Sequence, residues 1–483
     1  MASGRLIAGV DCSTQGTKVL VVDPDSGSVV AEGRAEHTVS GDRGARETDP
    51  REWWSALAAA LSTTGRASEV GAISVAGQQH GLVTVNDAGE PIRPALLWND
   101  TRSARQAARL TGLLGAERWA SRTGLRPLAS FTVSKWAWLR ENEPHNAAAT
   151  AAVRLPHDYV TGLLTGTAVT DRGDASGTGW WSPGDEGYAD DILALSEIAL
   201  SPSALRRVLG PAEVAGEVTA EASTAVGVPA GAVVGPGTGD NMGAALGLGL
   251  SLGQPVLSLG TSGTVFAVAD RPAADPSGVV AGFADASGRF LPLACTLNCT
   301  LAVDRMAAWL GLERDDVEAA DSVVVLPWLD GERTPDLPGA AGTITGLRHA
   351  TTRQQVLMAT YEGAVASLLE ALDAIDVAAG GLDASAPLVL VGGGARGGTW
   401  RDVVRRLSGR PILIPEATEL VALGAAVQAT AIWRGESPAD VARRWGTASG
   451  TLLDPLPRDD DRLAAIRSVR NAVVGDLTLA GKG

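Results

Sequence analysis

The first apolar run of the chain, Leu6 to Val10, is followed by a polar turn and by a return strand, Lys18 to Val22. Two short apolar runs around a tight polar turn predict a β-hairpin. The same pattern returns near the middle of the chain, where Val256 to Leu259 leads into a Gly/Thr/Ser turn and Val265 to Val268 leads out of it. This repetition predicts two related halves.

Strand-like runs alternate with helix-like runs elsewhere in the chain, a pattern that is typical of α/β proteins. Ala72 to Val75 is strand-like, and Glu52 to Leu61 has the period of a helix. Late in the chain, Thr351 or Thr352 can cap a long helix. Pro387 to Val391 predicts a buried strand, and the glycine turn after it is expected to lead into a helix with Val403, Val404 and Leu407 on one face, an arrangement that binds anions.

The segment from Gly235 to Gly249 is dense in glycine, and Asp240 is its one charged residue. Glycine-rich backbone serves either as a hinge or as a surface for close packing, because it has no side chain to obstruct an approaching element. We expect the boundary between two domains in this segment, with one domain at 1–242 and the other at 243–483.

Composition and charge reduce the number of possible functions and locations. The 483 residues are enough for two large domains. No stretch approaches the roughly 18 uninterrupted apolar residues of a membrane span, and the start of the chain does not read as a signal peptide, so we expect a cytoplasmic protein. The net charge of −15 disfavours nucleic acid and anionic membranes as partners. Cys12, Cys295 and Cys299 lack the paired spacing of a zinc site.

The polar turns carry the residue types that phosphoryl transfer requires: donors to phosphate, a magnesium ligand and a base. The turns at 13–17 and 260–263 can donate hydrogen bonds to phosphate oxygens, although each taken singly is also an ordinary hairpin turn. Asp11 ends a strand and is either a magnesium ligand or an Asx-turn residue. Lys18 either neutralises phosphate charge or is a solvated strand residue.

Asp240 is the candidate base, because a carboxylate in apolar, glycine-rich surroundings is partly desolvated and its pKa rises. The alternative role for this residue is the N-cap of a helix. The glycine triplet 392–394 with Arg396 is a candidate nucleotide loop.

Seven motifs occur in order along the chain: GVDCSTQGTK, GQQHG, LLWND, GTGDNMGAALG, LSLGTSG, GERTP and VGGGAR. With these motifs the sequence resembles the FGGY carbohydrate kinases over nearly its whole length. The resemblance implies two actin-like (ribonuclease H-like) α/β domains of the sugar kinase, heat-shock protein and actin superfamily, with an interdomain catalytic cleft. It further implies that residues 1–242 bind the sugar and carry the first phosphate loop, and that residues 243–483 bind ATP.

The resemblance also implies roles for individual residues. Asp240 corresponds to the general base, and Asp11 to the magnesium-associated aspartate. ATP and phosphate binding fall to Ser13, Thr14, Lys18, Gly260, Thr261, Ser262, Gly393, Gly394 and Arg396. The sugar side comprises Gln79, His80, Trp98, Asn99, Asp100 and, by analogy with glycerol kinases, Phe266. For His80, a buried structural histidine is the alternative.

The implied reaction is ATP-dependent phosphorylation of D-xylulose in xylose catabolism, with Mg²⁺ as cofactor. The Gln79-His80 pair favours this sugar over ribulose, glycerol, gluconate or rhamnulose, the substrates of other family members. A non-catalytic sugar sensor on the same scaffold is the alternative from another class. Homodimers are common in the family. Ser13 departs from the family's usual Asp-x-Gly-Thr pattern by standing where glycine is expected.

Overall fold

The computed structural model describes residues 5–480, with side chains through residue 475, and divides them into two compact units. Unit 1 comprises the described residues up to Leu250, together with Asp270–Leu291 and Ala417–Ser449. Unit 2 comprises Ser251–Ala269, Pro292–Glu416 and the described residues from Gly450 onward. The chain leaves the first unit after Leu250 and returns to it twice. The division at residue 242 stays a prediction, and this position falls inside a helix of unit 1.

Both units combine strands with helices. The strands are β1 Leu6–Cys12, β2 Gly16–Val22, β3 Val29–Glu36, β4 Glu47–Thr48, β5 Val70–Gly77, β6 Val83–Val85, β7 Ala95–Leu96, β8 Ala152–Arg154, β9 Val169–Asp171, β10 Trp181–Ser182, β11 Gly187–Tyr188, β12 Arg207–Leu209, β13 Gly216–Glu217, β14 Val233–Val234, β15 Thr238–Gly239, β16 Pro255–Leu259, β17 Gly263–Ala267, β18 Ala281–Ala284, β19 Phe290–Thr296, β20 Val324–Leu326, β21 Thr343–Thr345, β22 Leu388–Val391, β23 Ile412–Pro415 and β24 Gly450–Leu453.

The α-helices are α1 Pro50–Thr64, α2 Ala104–Leu114, α3 Ala116–Thr123, α4 Thr132–Asn142, α5 Pro144–Ala149, α6 Pro156–Thr165, α7 Arg172–Ala175, α8 Asp190–Leu193, α9 Ala220–Val226, α10 Asp240–Gly247, α11 Thr300–Leu310, α12 Arg353–Ala379, α13 Gly398–Ser408, α14 Leu420–Arg434, α15 Pro438–Trp445 and α16 Asp460–Ala480. Short 3₁₀ turns cover Ala67–Glu69, Pro202–Ala204 and Gly393–Arg396. In the part of the chain that the structure describes, no helix is both long and apolar enough to cross a membrane.

The central sheet of unit 1 has the strand order β13-β14-β5-β1-β2-β3. β1 pairs antiparallel with β2 and places Asp11 opposite Lys18, which confirms the predicted first hairpin. β1 also pairs in parallel with β5, which is buried along its whole length. Because parallel strands end at the same edge of a sheet, the turn after β1 and the residues after β5 lie side by side.

Helix α14 covers one face of this sheet and contacts helix α10 at very short range. A Cβ atom on Gly9 would lie 2.0 Å from the Ala422 carbonyl oxygen, and one on Gly424 would lie 1.8 Å from that of Gly243. The buried side chain of Gln428 also accepts a hydrogen bond from the Ser74 hydroxyl. Its amide nitrogen donates to the Gly237 carbonyl oxygen at 3.0 Å. The glycine-rich segment before and within α10 is therefore a close-packing surface, which decides between the two predicted roles.

In unit 2 the strand order is β19-β17-β16-β22-β23-β24. β16 and β17 form the predicted second hairpin, and β22 pairs with β16 in parallel. Each unit thus contains an antiparallel hairpin whose first strand pairs in parallel with a later strand, as two related halves predict. Thr352 caps α12 through a capping box with Gln355. The glycine triplet after β22 leads through a short 3₁₀ turn into α13, which buries Val403, Val404 and Leu407, so the predicted order of strand, glycine turn and helix is confirmed.

Candidate functional site

Asp11 lies at the end of β1, where a buried carboxylate has no hydrogen-bonding partner of its own. The residue is 7% exposed, and its Oδ1 atom accepts no hydrogen bond from the described protein atoms. Burial, and then the negative charge of Asp240, raise the pKa of Asp11 to about 7. The turn that follows is closed by Ser13, whose N–H and hydroxyl both donate to the Gly16 carbonyl oxygen. Asp11 therefore does not cap its own loop and is free to take a ligand.

The remaining residues of the first turn face other protein groups. The Ser13 backbone stays outside the left-handed region, so serine fits here without strain. The Thr14 hydroxyl accepts a hydrogen bond from the Trp98 indole N–H at 3.0 Å, which joins a predicted phosphate residue to a predicted sugar residue. The Lys18 ammonium lies 2.8 Å from Glu419 Oε2. Lys18 is thus an ion-paired residue at the sheet surface, and its role toward phosphate stays a prediction.

Asp240 is the first residue of α10, and Gly239 is the N-cap, so the alternative reading of Asp240 as the cap was wrong. Burial raises the pKa of Asp240 to about 7, while an exposed edge leaves the residue accessible. Asn241 donates to Asp240 Oδ1 from its backbone N–H, at 2.8 Å, and from its side-chain amide, at 2.9 Å. The same amide donates to Gln79 Oε1 at 2.7 Å. The structure therefore links the predicted base to the predicted sugar-side glutamine.

His80 directly follows Gln79. Its backbone has an unusual conformation, and its ring packs among aromatic side chains. Its φ angle is 63°, in the left-handed region that residues other than glycine rarely occupy. The imidazole ring stacks on Phe283 at a centroid distance of 5.1 Å and meets the edge of Phe131 at 5.2 Å. The backbone N–H of His80 donates to Asp174 Oδ1 at 3.1 Å. An imidazole fixed in this way, next to Gln79 in the chain, can orient a hydroxylated ligand.

Sequence reasoning missed four of these neighbours. Asn241 stands beside Asp240 in the same motif, and its amide could have been recognised there as a group that orients the base. Phe131, Asp174 and Phe283 come from segments far apart in the chain, so no local pattern connects them to His80. Phe283 reaches unit 1 only because Asp270–Leu291 returns to it.

Three further predicted sugar-side residues have different surroundings in unit 1. Trp98 is 41% exposed and Asn99 is partly buried. Asp100 is buried, accepts the Arg46 N–H at 2.9 Å and forms an ion pair with Arg102 at 2.7 Å. Both Asp100 oxygens thus have protein partners, which suits a structural carboxylate at least as well as a ligand group, and its sugar role stays a prediction.

Phe266 belongs to β17 of unit 2, where its side chain is 2% exposed. It occupies the hydrophobic interior of that unit, and its role toward sugar also stays a prediction. In unit 1, Phe131 and Phe283 supply the aromatic surface against His80.

Two predicted nucleotide loops of unit 2 lie next to each other. Thr261 and Ser262 are exposed after β16, and the Gly260 carbonyl oxygen accepts the Thr300 N–H at 3.0 Å at the start of α11. On the neighbouring strand, Gly392 has a φ of 85°, and a Cβ atom there would lie 2.8 Å from the Leu259 carbonyl oxygen. Only glycine allows this approach.

Of the other predicted residues in this loop, Gly394 is buried, whereas Gly393 and Arg396 lie at the surface. A Cβ atom on Gly393 would meet nothing within 4 Å, and Arg396 is exposed. Backbone N–H groups, two hydroxyls and an arginine thus line one edge of the unit 2 sheet, which is suited to binding an anion.

The acidic, histidine and cysteine side chains limit the kind of metal site that the protein can form. Among the side chains that the structure describes, residues 5–475, no group of three or more His, Cys, Asp or Glu residues could hold a metal ion. The unpartnered Asp11 oxygen fits a different kind of site, in which one carboxylate binds a Mg²⁺ ion that takes its other ligands from water and substrate phosphates.

Comparison with known proteins identifies the family. The models for the N-terminal and C-terminal domains of the FGGY family of carbohydrate kinases match residues 6–247 and 256–433. A xylulose kinase of Streptomyces coelicolor is 60% identical over 471 residues, which cover 97% of this chain and 96% of the relative. A xylulose kinase of Escherichia coli K12 is 32% identical over 84% of this chain and 85% of its own length.

Solved structures agree with the sequence comparison. The crystal structure of xylulose kinase from Bifidobacterium adolescentis has a TM-score of 0.86 and 35% identity, and the match covers 96% of this chain and 99% of that one. The chain belongs to the FGGY family of carbohydrate kinases. The predicted two-domain α/β sugar kinase fold is confirmed.

Proposed function

We propose that this protein transfers the γ-phosphoryl group of ATP to the O5 hydroxyl of D-xylulose, giving D-xylulose 5-phosphate and ADP, in xylose catabolism. The observation that carries the proposal is the link from Asp240 through Asn241 to Gln79, with His80 beside it. It places a partly desolvated carboxylate next to the residue pair expected to select the sugar. The 60% identity to a xylulose kinase over nearly the whole chain supports the choice of sugar.

In this proposal Asp240 accepts the proton of the O5 hydroxyl as O5 bonds to the γ-phosphorus and the bond from that phosphorus to the ADP oxygen breaks. A base works best with a pKa near the working pH, and the pKa of Asp240 is raised to about 7. The two Asn241 donors fix the orientation of the carboxylate. Gln79 and His80 are assigned to holding the sugar, and positioning supplies much of the rate.

The phosphate groups of ATP are assigned to the polar loops. Residues 13–18 of unit 1 and the two loops of unit 2, residues 260–262 and 392–396, supply N–H groups, hydroxyls and an arginine. Asp11 is the carboxylate that would bind Mg²⁺, which when bound neutralises charge on the transferring phosphoryl group. These roles follow from loop chemistry and from the family.

Three further expectations complete the proposal. We expect residues 1–242 to supply sugar binding and residues 243–483 to supply ATP binding. We expect a homodimer, to be tested by light scattering on the protein as it elutes from a sizing column. We also expect the enzyme in the cytoplasm, where ATP and the sugar are available, and fractionation of cells tests this directly.

The test of function is ADP release by the purified protein with ATP and Mg²⁺ in the presence of D-xylulose, D-ribulose, L-ribulose, glycerol, gluconate or L-rhamnulose. A clear preference for D-xylulose is expected. Asp240→Ala should lower kcat by about 10²–10⁴-fold while ATP binding persists. Asp87→Ala, which changes an exposed carboxylate, is the matched control. Turnover of Asp240→Ala within a few-fold of wild type would disprove the assignment of the base.

A further inference from the structure

A buried histidine lies beneath the sugar-side residues, among three carboxylates. His157 of α6 is fully buried. Its Nε2 atom lies 3.1 Å from Asp171 Oδ1, 3.4 Å from Asp158 Oδ1 and 3.6 Å from Asp174 Oδ2. Burial alone would lower the pKa of His157, but the charges of Asp158, Asp171 and Asp174 raise it to about 9. The surroundings therefore favour an imidazolium cation in the interior of unit 1.

Two of the three carboxylates accept hydrogen bonds from backbone N–H groups at the starts of nearby helices. Asp158 accepts the Leu155 N–H at 2.9 Å and so closes the start of α6. Asp171 accepts the N–H groups of Gly173 and Asp174 at the start of α7, and also the Thr238 hydroxyl at 3.0 Å. Both would be held in place by these hydrogen bonds without a cation nearby.

Asp174 differs because one of its oxygens, Oδ1, faces the sugar-side residue His80. Asp174 Oδ1 accepts the His80 N–H at 3.1 Å and lies 3.6 Å from the His80 Nδ1 atom. Its other oxygen, Oδ2, is the one that faces His157. One carboxylate thus connects the buried cation to both the backbone and the ring of His80.

The backbone of His80 needs such support. A left-handed φ of 63° is unfavourable for a residue with a side chain, and it persists only where the surroundings fix it. The Thr132 hydroxyl donates to the His80 carbonyl oxygen at 3.2 Å, and Asp174 accepts its N–H. A Cβ atom on Gly177 would come within 2.0 Å of His80 Nδ1, so the ring has no room to move in that direction.

We propose that His157 is a positioning residue of the sugar site, a buried cation that orients Asp174 and through it the backbone and imidazole of His80. This inference rests on the proposed function, since it assigns His80 to the sugar. A buried carboxylate without a counter-charge takes up a proton. Burial and then Asp171 already raise the pKa of Asp174 to about 7, even with His157 as its neighbour. Without that cation Asp174 would be neutral, and a neutral carboxyl is a weaker acceptor for the His80 N–H.

The first test compares His157→Gln, which removes the cation, with His157→Lys, which restores a positive charge. We expect His157→Gln to raise KM for the sugar by about 10–100-fold, the effect typical of groups that orient a ligand-binding residue from behind, with KM for ATP within about twofold of wild type. We expect His157→Lys to recover most of the loss. His145→Gln is the control for histidine replacement away from this cluster. Thermal unfolding of each variant verifies the fold.

Asp174→Asn keeps the shape of the linking residue and removes its charge, and it decides the matter if His157→Gln does not fold. It should also raise KM for the sugar alone. The double variant should be no worse than the more affected single variant, because both changes break one chain of contacts. A sugar KM within twofold of wild type in either folded single variant, equal rises in both KM values, or additive effects in the double variant would overturn the proposal.

The sugar for these assays is whichever member of the panel the wild type phosphorylates best. A sugar other than D-xylulose would refute the proposed substrate and leave the test of His157 intact. If the wild type phosphorylates none of them, the proposed function fails, and calorimetric binding of each sugar to wild type and to His157→Gln replaces KM. Equal binding by the two proteins, or binding by neither, then overturns the role of His157.

Discussion

Replacing Gly424 of α14 by alanine should disturb the helix on which Asp240 stands. A Cβ atom at residue 424 would lie 1.8 Å from the Gly243 carbonyl oxygen and 2.8 Å from the Gly247 backbone nitrogen. Ordinary contacts between such atoms are about 3.5 Å, so α14 and α10 would have to separate by more than an ångström. Asp240 begins α10 and would move with it.

The expected loss can be bounded from two opposing contributions. Inserting a methyl group into a well-packed contact destabilises by about 1–3 kcal/mol, and backbone atoms on the other side place this case toward the upper end. Alanine in a helix interior gains up to about 1 kcal/mol over glycine. The net destabilisation should be about 1–2 kcal/mol. A displacement of the base by about 1 Å would lower kcat by about 10²-fold.

The assay combines thermal unfolding with steady-state kinetics, and Gly112→Ala serves as the control. Gly112 lies on the exposed face of α2, where a Cβ atom would meet nothing within 4 Å, so alanine there should stabilise slightly and leave activity unchanged. Gly424→Ala should lower Tm by several degrees, at about 2–4 °C per kcal/mol. Wild-type Tm and kcat in Gly424→Ala would refute the idea that close packing of α10 on α14 sets the position of the base.

Three other predictions concern the base and unit 2. Because Asp240 must be ionised and its pKa is raised to about 7, kcat/KM for D-xylulose should fall about tenfold per pH unit below pH 7, and a plateau reaching about pH 5 would contradict this. Asn241→Ala removes a hydrogen bond that lowers the pKa of Asp240, so the acid limb of the pH–rate profile should move to higher pH, whereas an unshifted limb would exclude this role. Glu362→Ala should lower the free energy of unfolding by about 3–5 kcal/mol, because the buried Glu362 pairs with Arg406 and Arg462. Glu362→Gln keeps part of the hydrogen bonding and should lose less stability in thermal unfolding. Equal losses of stability in the two variants would argue against the ion pair.

Local patterns predicted the parts of the fold that are themselves local. Both hairpins, the strand before the glycine triplet and the long capped helix were predicted, because alternating polarity, turn residues and capping residues act over a few positions. The glycine-rich segment left two roles open, since nothing near residue 243 reveals that α14 packs against it from about 180 positions later. For the same reason, the return of Asp270–Leu291 and Ala417–Ser449 to unit 1 was not foreseen.

In the candidate site, too, the residues with a local sequence signal were predicted and those brought together by the fold were not. Asp240 stood out in the sequence because a single charge in an apolar segment is visible locally, and the structure adds its partner Asn241. Asp11 was visible as the end of a strand. The aromatic surface around His80 was not, because Phe131 and Phe283 are brought together by chain topology. Lys18 and Asp100 show the converse: each has the residue type of a ligand group, yet Lys18 pairs with the distant Glu419 and Asp100 accepts the backbone N–H of the distant Arg46.

Gln79 and His80, in the turn shortly after β5, join two otherwise separate polar networks. Gln79 faces Asn241 and, through it, the candidate base, whereas His80 faces Asp174 and the buried His157. The chain turns at these two residues, and the left-handed backbone of His80 lets the neighbouring side chains contact different networks. The hydrogen bond from the His80 backbone N–H to Asp174 and the parallel pairing of β5 with β1 hold the segment in place, so in the proposed function this one turn sets where the sugar lies relative to the base.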